Sequence, residues 1–215
     1  RHGTTDEAEH IVEQMIPFVG EWGGHLVGSH VVQAALVRGT TTQAERIVEQ
    51  IIPRVPEWGS HKFSSYAVQD ALVHGTTAQA ERILEQIIPR VAEWSCQAIS
   101  SHVIRAALQH GAAGQVERIV QKIVPRVGEL CLHEVGARTV QTALKHGTAA
   151  QRENIVASTV LPRFDELAYD KYGSHVLRAA YLNAASADQD AIVKKMVAVR
   201  HFIREVWQRM SAVGS

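Results

Sequence analysis

The chain has 215 residues, with 22 Lys+Arg against 22 Asp+Glu, two cysteines and an apolar fraction of 46%. Two cysteines cannot build a disulfide scaffold, no apolar run approaches the roughly 20 residues of a membrane helix, and no leader pattern opens the sequence, so a reducing intracellular setting is expected. Zero net charge removes the usual basic signature of a phosphate-binding domain, and any case for a nucleic-acid partner has to rest on arrangement.

A fixed period organises the chain. Gly3, Gly39, Gly75, Gly111 and Gly147 stand 36 residues apart, and Pro17, Pro53, Pro89 and Pro125 keep the same step, with Pro162 one residue late. Trp22, Trp58 and Trp94 form a third column, continued by Leu130. The segments starting at Gly39 and Gly75 agree at about 22 of 36 positions. Such self-similarity predicts a solenoid whose units hide their apolar faces against one another. The expected units are the end of a preceding repeat at 1–2, repeats at 3–38, 39–74, 75–110, 111–146 and 147–183, and C-terminal capping helices at 184–215. The opening Arg1, His2 and Gly3 match the last residues of a unit, as expected of a piece of a longer array.

In chain order, each unit predicts two helices. Thr4 with Glu7, Thr40 with Gln43, Thr76 with Gln79, Thr148 with Gln151 and Ser186 with Gln189 have capping-box spacing, while Ala112 breaks the series. Apolar residues then recur at helical spacing, as in Ala44, Ile47, Val48, Ile51 and Ile52, until the proline bends or ends the helix. After a short loop comes a second helix, read as Phe63 to Ala71 in one unit and Ile99 to Leu108 in the next. It closes on His or Arg and then the periodic glycine, which suits a left-handed residue. The tail after Ser186, through Ile192, Met196, Phe202, Val206 and Trp207, keeps helical spacing and reads as a cap. No strand alternation or hairpin signal appears, so the fold class is all-α.

The second helices open on Val27-Gly28-Ser29-His30-Val31-Val32-Gln33, Phe63-Ser64-Ser65-Tyr66-Ala67-Val68-Gln69, Ile99-Ser100-Ser101-His102-Val103-Ile104-Arg105, Val135-Gly136-Ala137-Arg138-Thr139-Val140-Gln141 and Tyr172-Gly173-Ser174-His175-Val176-Leu177-Arg178. These stretches resemble the RNA-facing helices of the Pumilio/PUF repeat family. The resemblance covers residues 3 to about 183 and implies a right-handed α-solenoid that reads single-stranded RNA one base per repeat on its concave face. Residues i and i+4 lie one above the other on a helix, so a pair of them can face one base edge while the residue after the first stacks between bases. Carried over by position, the base-edge pairs are Ser29/Gln33, Ser65/Gln69, Ser101/Arg105, Ala137/Gln141 and Ser174/Arg178. The stackers are His30, Tyr66, His102, Arg138 and His175.

In the family, Ser with Gln goes with adenine and Ser with Arg with cytosine, and the RNA runs antiparallel to the protein. The implied core is 5′-C-N-C-A-A-3′. No unit carries the family's uracil pair (Asn/Gln) or guanine pair (Ser/Glu), so these repeats do not support a UGU-containing target. A small residue at a helix start can also serve packing alone, and exposed Gln or Arg can fill a solvated face.

The remaining chemistry-bearing residues fall into columns. His2, His74, His110 and His146 end helices, where the dipole favours partial positive charge. His25, His61 and His133 share a loop position, His10 takes the place of Arg46, Arg82 and Arg118, and His201 stands apart. Parallel columns do not converge on a metal, and neither a cofactor nor catalysis is expected. Cys96 and Cys131, in adjacent repeats about 10 Å apart, exceed the roughly 7 Å limit for a disulfide and are expected to be free thiols. The tryptophans are expected to pack between units.

Two functions from different classes follow. One is a non-catalytic RNA reader acting in post-transcriptional regulation or RNA processing, on an A/C-containing strand. The other is a protein-interaction scaffold, or a divergent relative held in a ribosomal or precursor-RNA assembly. Protein partners on the convex face or loops fit either; no membrane or DNA contact is expected. The expected compartment is cytoplasmic, with nucleolar or organellar settings as alternatives.

Overall fold

The computed structural model describes residues 5–213, with side chains described for residues 6–199. The predicted Thr4–Glu7 box and the side chains of His201, Phe202, Val206 and Trp207 lie outside that set. No strand occurs among the described residues. The chain forms two compact units, residues 1–123 and 124–215, with the division inside the fourth repeat.

The first unit holds three repeats of one pattern. Repeat 1 runs α1 (Thr5–Met15), a 3₁₀ turn at Ile16–Phe18, α2 (Val19–Trp22) and α3 (Leu26–Arg38). Repeat 2 repeats it as α4 (Thr41–Ile51), Ile52–Arg54, α5 (Val55–Trp58) and α6 (Ser64–His74). Repeat 3 consists of α7 (Thr77–Ile87), Ile88–Arg90, α8 (Val91–Trp94) and α9 (Ser100–His110), followed by α10 (Ala113–Ile123). In each of these repeats the first α-helix ends two residues before the proline, as expected. The proline sits in the first turn of a 3₁₀ segment, where its missing N–H costs nothing, and a one-turn α-helix carries the chain on to the tryptophan.

In the second unit come a 3₁₀ turn at Val124–Arg126, α11 (Val127–Leu130), α12 (Glu134–His146), α13 (Ala149–Ile155), α14 (Phe164–Tyr169), α15 (Gly173–Asn183) and α16 (Ser186–Val213). Between α13 and α14 the residue that puts Pro162 out of step is absorbed as a π-turn at Val156–Val160, where the Leu161 amide donates to the Val156 carbonyl at 2.9 Å. A single inserted residue fits a helix in this way without disturbing the packed turns on either side. The tail is one helix in place of the expected plural.

Three capping boxes form in full, at Thr40/Gln43, Thr76/Gln79 and Thr148/Gln151. At Ala112 the backbone half survives, because the Gln115 carbonyl oxygen still accepts from the Ala112 amide at 2.8 Å. The Ser186/Gln189 box does not form. Ser186 is already helical, and the Gln189 amide group donates to the Tyr181 carbonyl at 3.0 Å.

The capping glutamines also tie repeats together. The amide nitrogens of Gln43 and Gln79 each donate at 2.8 Å to a backbone carbonyl one repeat back, at Glu9 and Glu45. Beside them the Arg46 guanidinium meets Glu13 at 2.5 Å, Arg82 meets Glu49 at 2.6 Å, and Arg118 meets Glu81. These bonds hold the carboxyls of Glu13, Glu49 and Glu81 below the usual carboxylate range. The leading cause is the arginine for Glu13 and the glutamine for Glu49 and Glu81.

The core consists of apolar columns. Ile47, Ile83, Ile119 and Ile155 occupy one position of the repeat and all are buried. Trp58 and Trp94 are buried too, and each lies against a glycine of the preceding repeat: a Cβ added to Gly23 would sit 2.0 Å from the Trp58 ring, and one added to Gly59 would sit 2.2 Å from Trp94. Trp58 and Trp94 thus pack between repeats, as expected, whereas Trp22 is half-buried and stacks on Phe18 of its own repeat.

A further expectation fails. The glycines closing the second helices are not left-handed: Gly39, Gly75, Gly111 and Gly147 have φ between −74° and −64° with ψ between 149° and 165°, and no described residue has positive φ. The space around them is tight instead. A Cβ on Gly39 would lie 2.7 Å from the Ala35 carbonyl oxygen, to which the Gly39 amide donates. Ala184 fills the equivalent place in the fifth repeat at φ −82°, so a small displacement admits a methyl group.

Candidate nucleic-acid interface

Second helices pack side by side, α3 on α6 and α6 on α9 in the first unit and α12 on α15 in the second. Because the repeats are in register, equivalent residues of these helices form columns. His30, Tyr66 and His102 are exposed in the first unit, as are Arg138 and His175 in the second. Two positions further along, Val32, Val68, Ile104 and Val140 are buried and Leu177 is half-buried, while Val176, directly after His175, is buried. A helix with one side locked into the core holds the exposed column in a fixed direction.

What starts these helices is a feature the sequence reading missed. In the loop column of His25, His61, Gln97, His133 and Asp170, the last four bond to the start of the helix, whereas the His25 side chain makes no capping bond. The His133 ring nitrogen Nδ1 accepts from the Val135 and Gly136 amides at 3.2 Å, and the Asp170 carboxylate accepts from Tyr172 and Gly173 at 2.8 and 2.6 Å. His61 and Gln97 instead hold the hydroxyls of Ser64 and Ser100, at 2.8 and 2.7 Å. An Asx or His three residues before a small residue was the available signal, and it was masked by the mixture of residue types in the column.

The five base-edge positions behave unequally. Ser29, Ser65, Ser101 and Ala137 are buried, whereas Ser174 is exposed. The hydroxyls of Ser29, Ser101 and Ser174 already donate to backbone carbonyls, at Leu26 (2.9 Å), Ala98 (3.4 Å) and Lys171 (3.0 Å). The expected presentation of two polar groups per repeat is therefore reduced in this conformation: the small residue lies at the floor of the face and the i+4 side chain rises from it. Gln33, Gln69, Arg105 and Gln141 are half-buried, and Arg178 is exposed. The Gln69 amide donates to the Ser65 carbonyl at 3.1 Å, Arg105 donates to His102 Nδ1 at 2.9 Å, and the Gln33 amide nitrogen is buried with no hydrogen-bond partner.

Arg105, Arg138 and Arg178 put positive charge on α9, α12 and α15. Lys62 and Lys171 lie over the rings of Phe63 and Tyr172, at 5.5 and 5.1 Å, at the starts of α6 and α15. Asp70 on α6 and Glu134 on α12 are acidic; burial raises the pKa of the Asp70 carboxyl, with His74 opposing. Next to the fifth repeat, an apolar groove of about 820 Å³ is lined by Phe164, Leu177, Tyr181, Ile192 and Met196, with Ser174 and Arg178 at its edge.

Both cysteines are free thiols, and burial pushes that of Cys131 up to about 12. No group of three or more His, Cys, Asp or Glu among the described residues is arranged to hold a metal ion, and no described helix is long and apolar enough to cross a membrane.

The profile of the Pumilio-family RNA binding repeat matches the sequence five times, at residues 21–52, 54–88, 90–124, 126–158 and 163–196. The chain belongs to the Pumilio family. Each matched segment joins a second helix to the first helix of the next repeat, and the last takes in α16 as far as residue 196. The period is that of the glycine columns, with a different phase.

Solved Pumilio-family structures share the fold. They include PUF-8 in complex with PBE-RNA, with a TM-score of 0.83 at 22% identity over 90% of this chain and 56% of that one. The Puf3 RNA binding domain bound to a Cox17 RNA 3′ UTR recognition sequence gives 0.80 at 20% identity, over 86% and 54% of the two chains. The RNA-binding domain of yeast Puf5p bound to AAT2 RNA gives 0.67 at 18%, over 81% and 50%. The present chain thus spans little more than half the length of these domains. A search of curated proteins returns no match.

Proposed function

We propose that this Pumilio-family chain is a non-catalytic reader of single-stranded RNA. The observation that carries the reading is the stacker column: five exposed His, Tyr or Arg side chains at one register position, each beside a buried apolar neighbour. Stacking on such side chains supplies affinity for unpaired bases, and the i+4 side chain supplies choice among them. Ser29, Ser65, Ser101, Ala137 and Ser174 set how deeply each base seats, while Gln33, Gln69, Arg105, Gln141 and Arg178 meet its edge. Repeats 1 to 3 read A, A and C, and repeats 4 and 5 read any base and C, giving 5′-C-N-C-A-A-3′. The role is post-transcriptional regulation or RNA processing.

A protein partner on the same face is the second reading. It is favoured by the zero net charge, which leaves no surplus of cations for phosphates.

Fluorescence anisotropy separates the two. A labelled oligonucleotide carrying 5′-CACAA-3′ binds more tightly than poly-U, and its affinity falls as salt rises. Arg105→Gln moves the preference at the third nucleotide from cytosine toward adenine and leaves the other positions alone. Flat titrations with every oligonucleotide overturn the RNA reading, and uniform weakening by Arg105→Gln reduces that residue to a phosphate contact.

A further inference from the structure

We propose that His102 is a specificity-determining positioning residue: its ring nitrogen holds the Arg105 guanidinium in the direction from which repeat 3 reads its base. This rests on the RNA reading above and adds to it a second role for a residue assigned only to stacking.

The geometry is a short bond on one helix face. Residues three apart on a helix are neighbours, and Arg105 Nη2 lies 2.9 Å from His102 Nδ1. Arginine is only a donor, so the imidazole nitrogen must accept, which fixes the ring as the neutral tautomer with its proton on Nε2. The guanidinium is a rigid planar fork, and anchoring one N–H sets the plane and direction of the rest. His102 is exposed and Arg105 half-buried, so the clamp lies at the rim of the face rather than in the core. An unanchored arginine has several rotamers, and some reach a phosphate instead of a base edge. Holding it beforehand removes that alternative and lowers the ordering cost of the base contact. The same two residue types recur at His175 and Arg178, where both are exposed.

The test uses the full 215-residue chain and two labelled oligonucleotides, one carrying 5′-CACAA-3′ and one with its third nucleotide changed to A. The readout is the ratio of their dissociation constants. His102→Phe keeps an aromatic ring and removes the acceptor, so the ratio falls about twofold to tenfold while the CACAA affinity is less affected. His102→Gln loses the ring and keeps an acceptor, so overall binding weakens while the ratio stays near wild type. A stacking role alone gives the reverse ordering. The inference is overturned if His102→Phe keeps the wild-type ratio, or if His102→Gln loses as much of it as His102→Phe. Arg105→Gln is the control on the underlying reading: if it leaves the ratio unchanged, base reading by repeat 3 itself fails, and the clamp fails with it. Thermal melting of each variant close to wild type shows that the exposed site, not folding, is being read.

Discussion

Tyr66 offers the clearest separation of binding from packing. It is 50% exposed on α6, whereas Ala67 and Val68 immediately after it are fully buried. Complete burial of a large apolar side chain is worth about 1.5 to 3 kcal/mol, so removing a half-covered ring in Tyr66→Ala should cost only about 1 kcal/mol of stability. For a chain of this length that lowers the melting midpoint by about 2 to 4 °C. Loss of a base-stacking aromatic costs about 1 to 3 kcal/mol of binding, or about fivefold to 150-fold in Kd. Val68→Ala should do the opposite, costing about 2 kcal/mol of stability through lost burial and cavity while leaving RNA affinity near wild type below the transition. Anisotropy titrations and thermal melts on the two variants measure both axes. If Tyr66→Ala melts several degrees lower yet binds the A/C oligonucleotide like wild type, the assignment of the exposed column to base stacking is refuted.

Other outcomes follow from the packing. Gly23→Ala drives a methyl group into the Trp58 ring and should cost about 1 to 3 kcal/mol in urea denaturation, whereas Gly24→Ala, with nothing within 4 Å of the added carbon, should be neutral or stabilising. Deleting Ser158, an exposed residue of the π-turn, should restore the 36-residue period and bring Val160 to the buried position of Ile123; a urea midpoint within a few tenths of a molar of wild type supports this, and gross loss of helical circular dichroism refutes it. The Glu49 carboxyl, held low by Gln79 and then Arg82, binds fewer protons when folded than unfolded near its titration. Its contribution is therefore complete above the ordinary carboxylate range and is lost as pH falls through the lower folded value. Glu49→Gln should narrow the stability gap between pH 7 and pH 3, an effect kept small by the exposure of the pair.

The parts legible in the sequence are those decided within one repeat. A hydroxyl and a glutamine three residues apart meet at a helix start whatever surrounds them, so the boxes at Thr40, Thr76 and Thr148 could be read directly; Ser186 failed because the helix it was meant to cap begins one residue too early. The recognition stretches were equally visible, since five copies in one register make an i, i+4 pattern stand out from a solvated face. Burial was not visible in this way. Ser29 and Ser101 look like exposed polar groups in the sequence, but the stacking of neighbouring repeats buries them and turns their hydroxyls back to their own helices.

Taken alone, the sequence determines the period, the all-helical class, the order of helices and the columns of the second helices, because each repeats a local rule. The tertiary structure decides what crosses from one repeat to the next: Trp58 and Trp94 seated on glycines of the preceding repeat, the glutamines donating to carbonyls 34 residues away, and the extended rather than left-handed glycines. It also decides that Arg105 is anchored by its own neighbour His102. The physical reason is the same throughout. Helix propensity and capping act over a few residues, but the volume left for a side chain and the partner it finds are set by whichever surface packs against it.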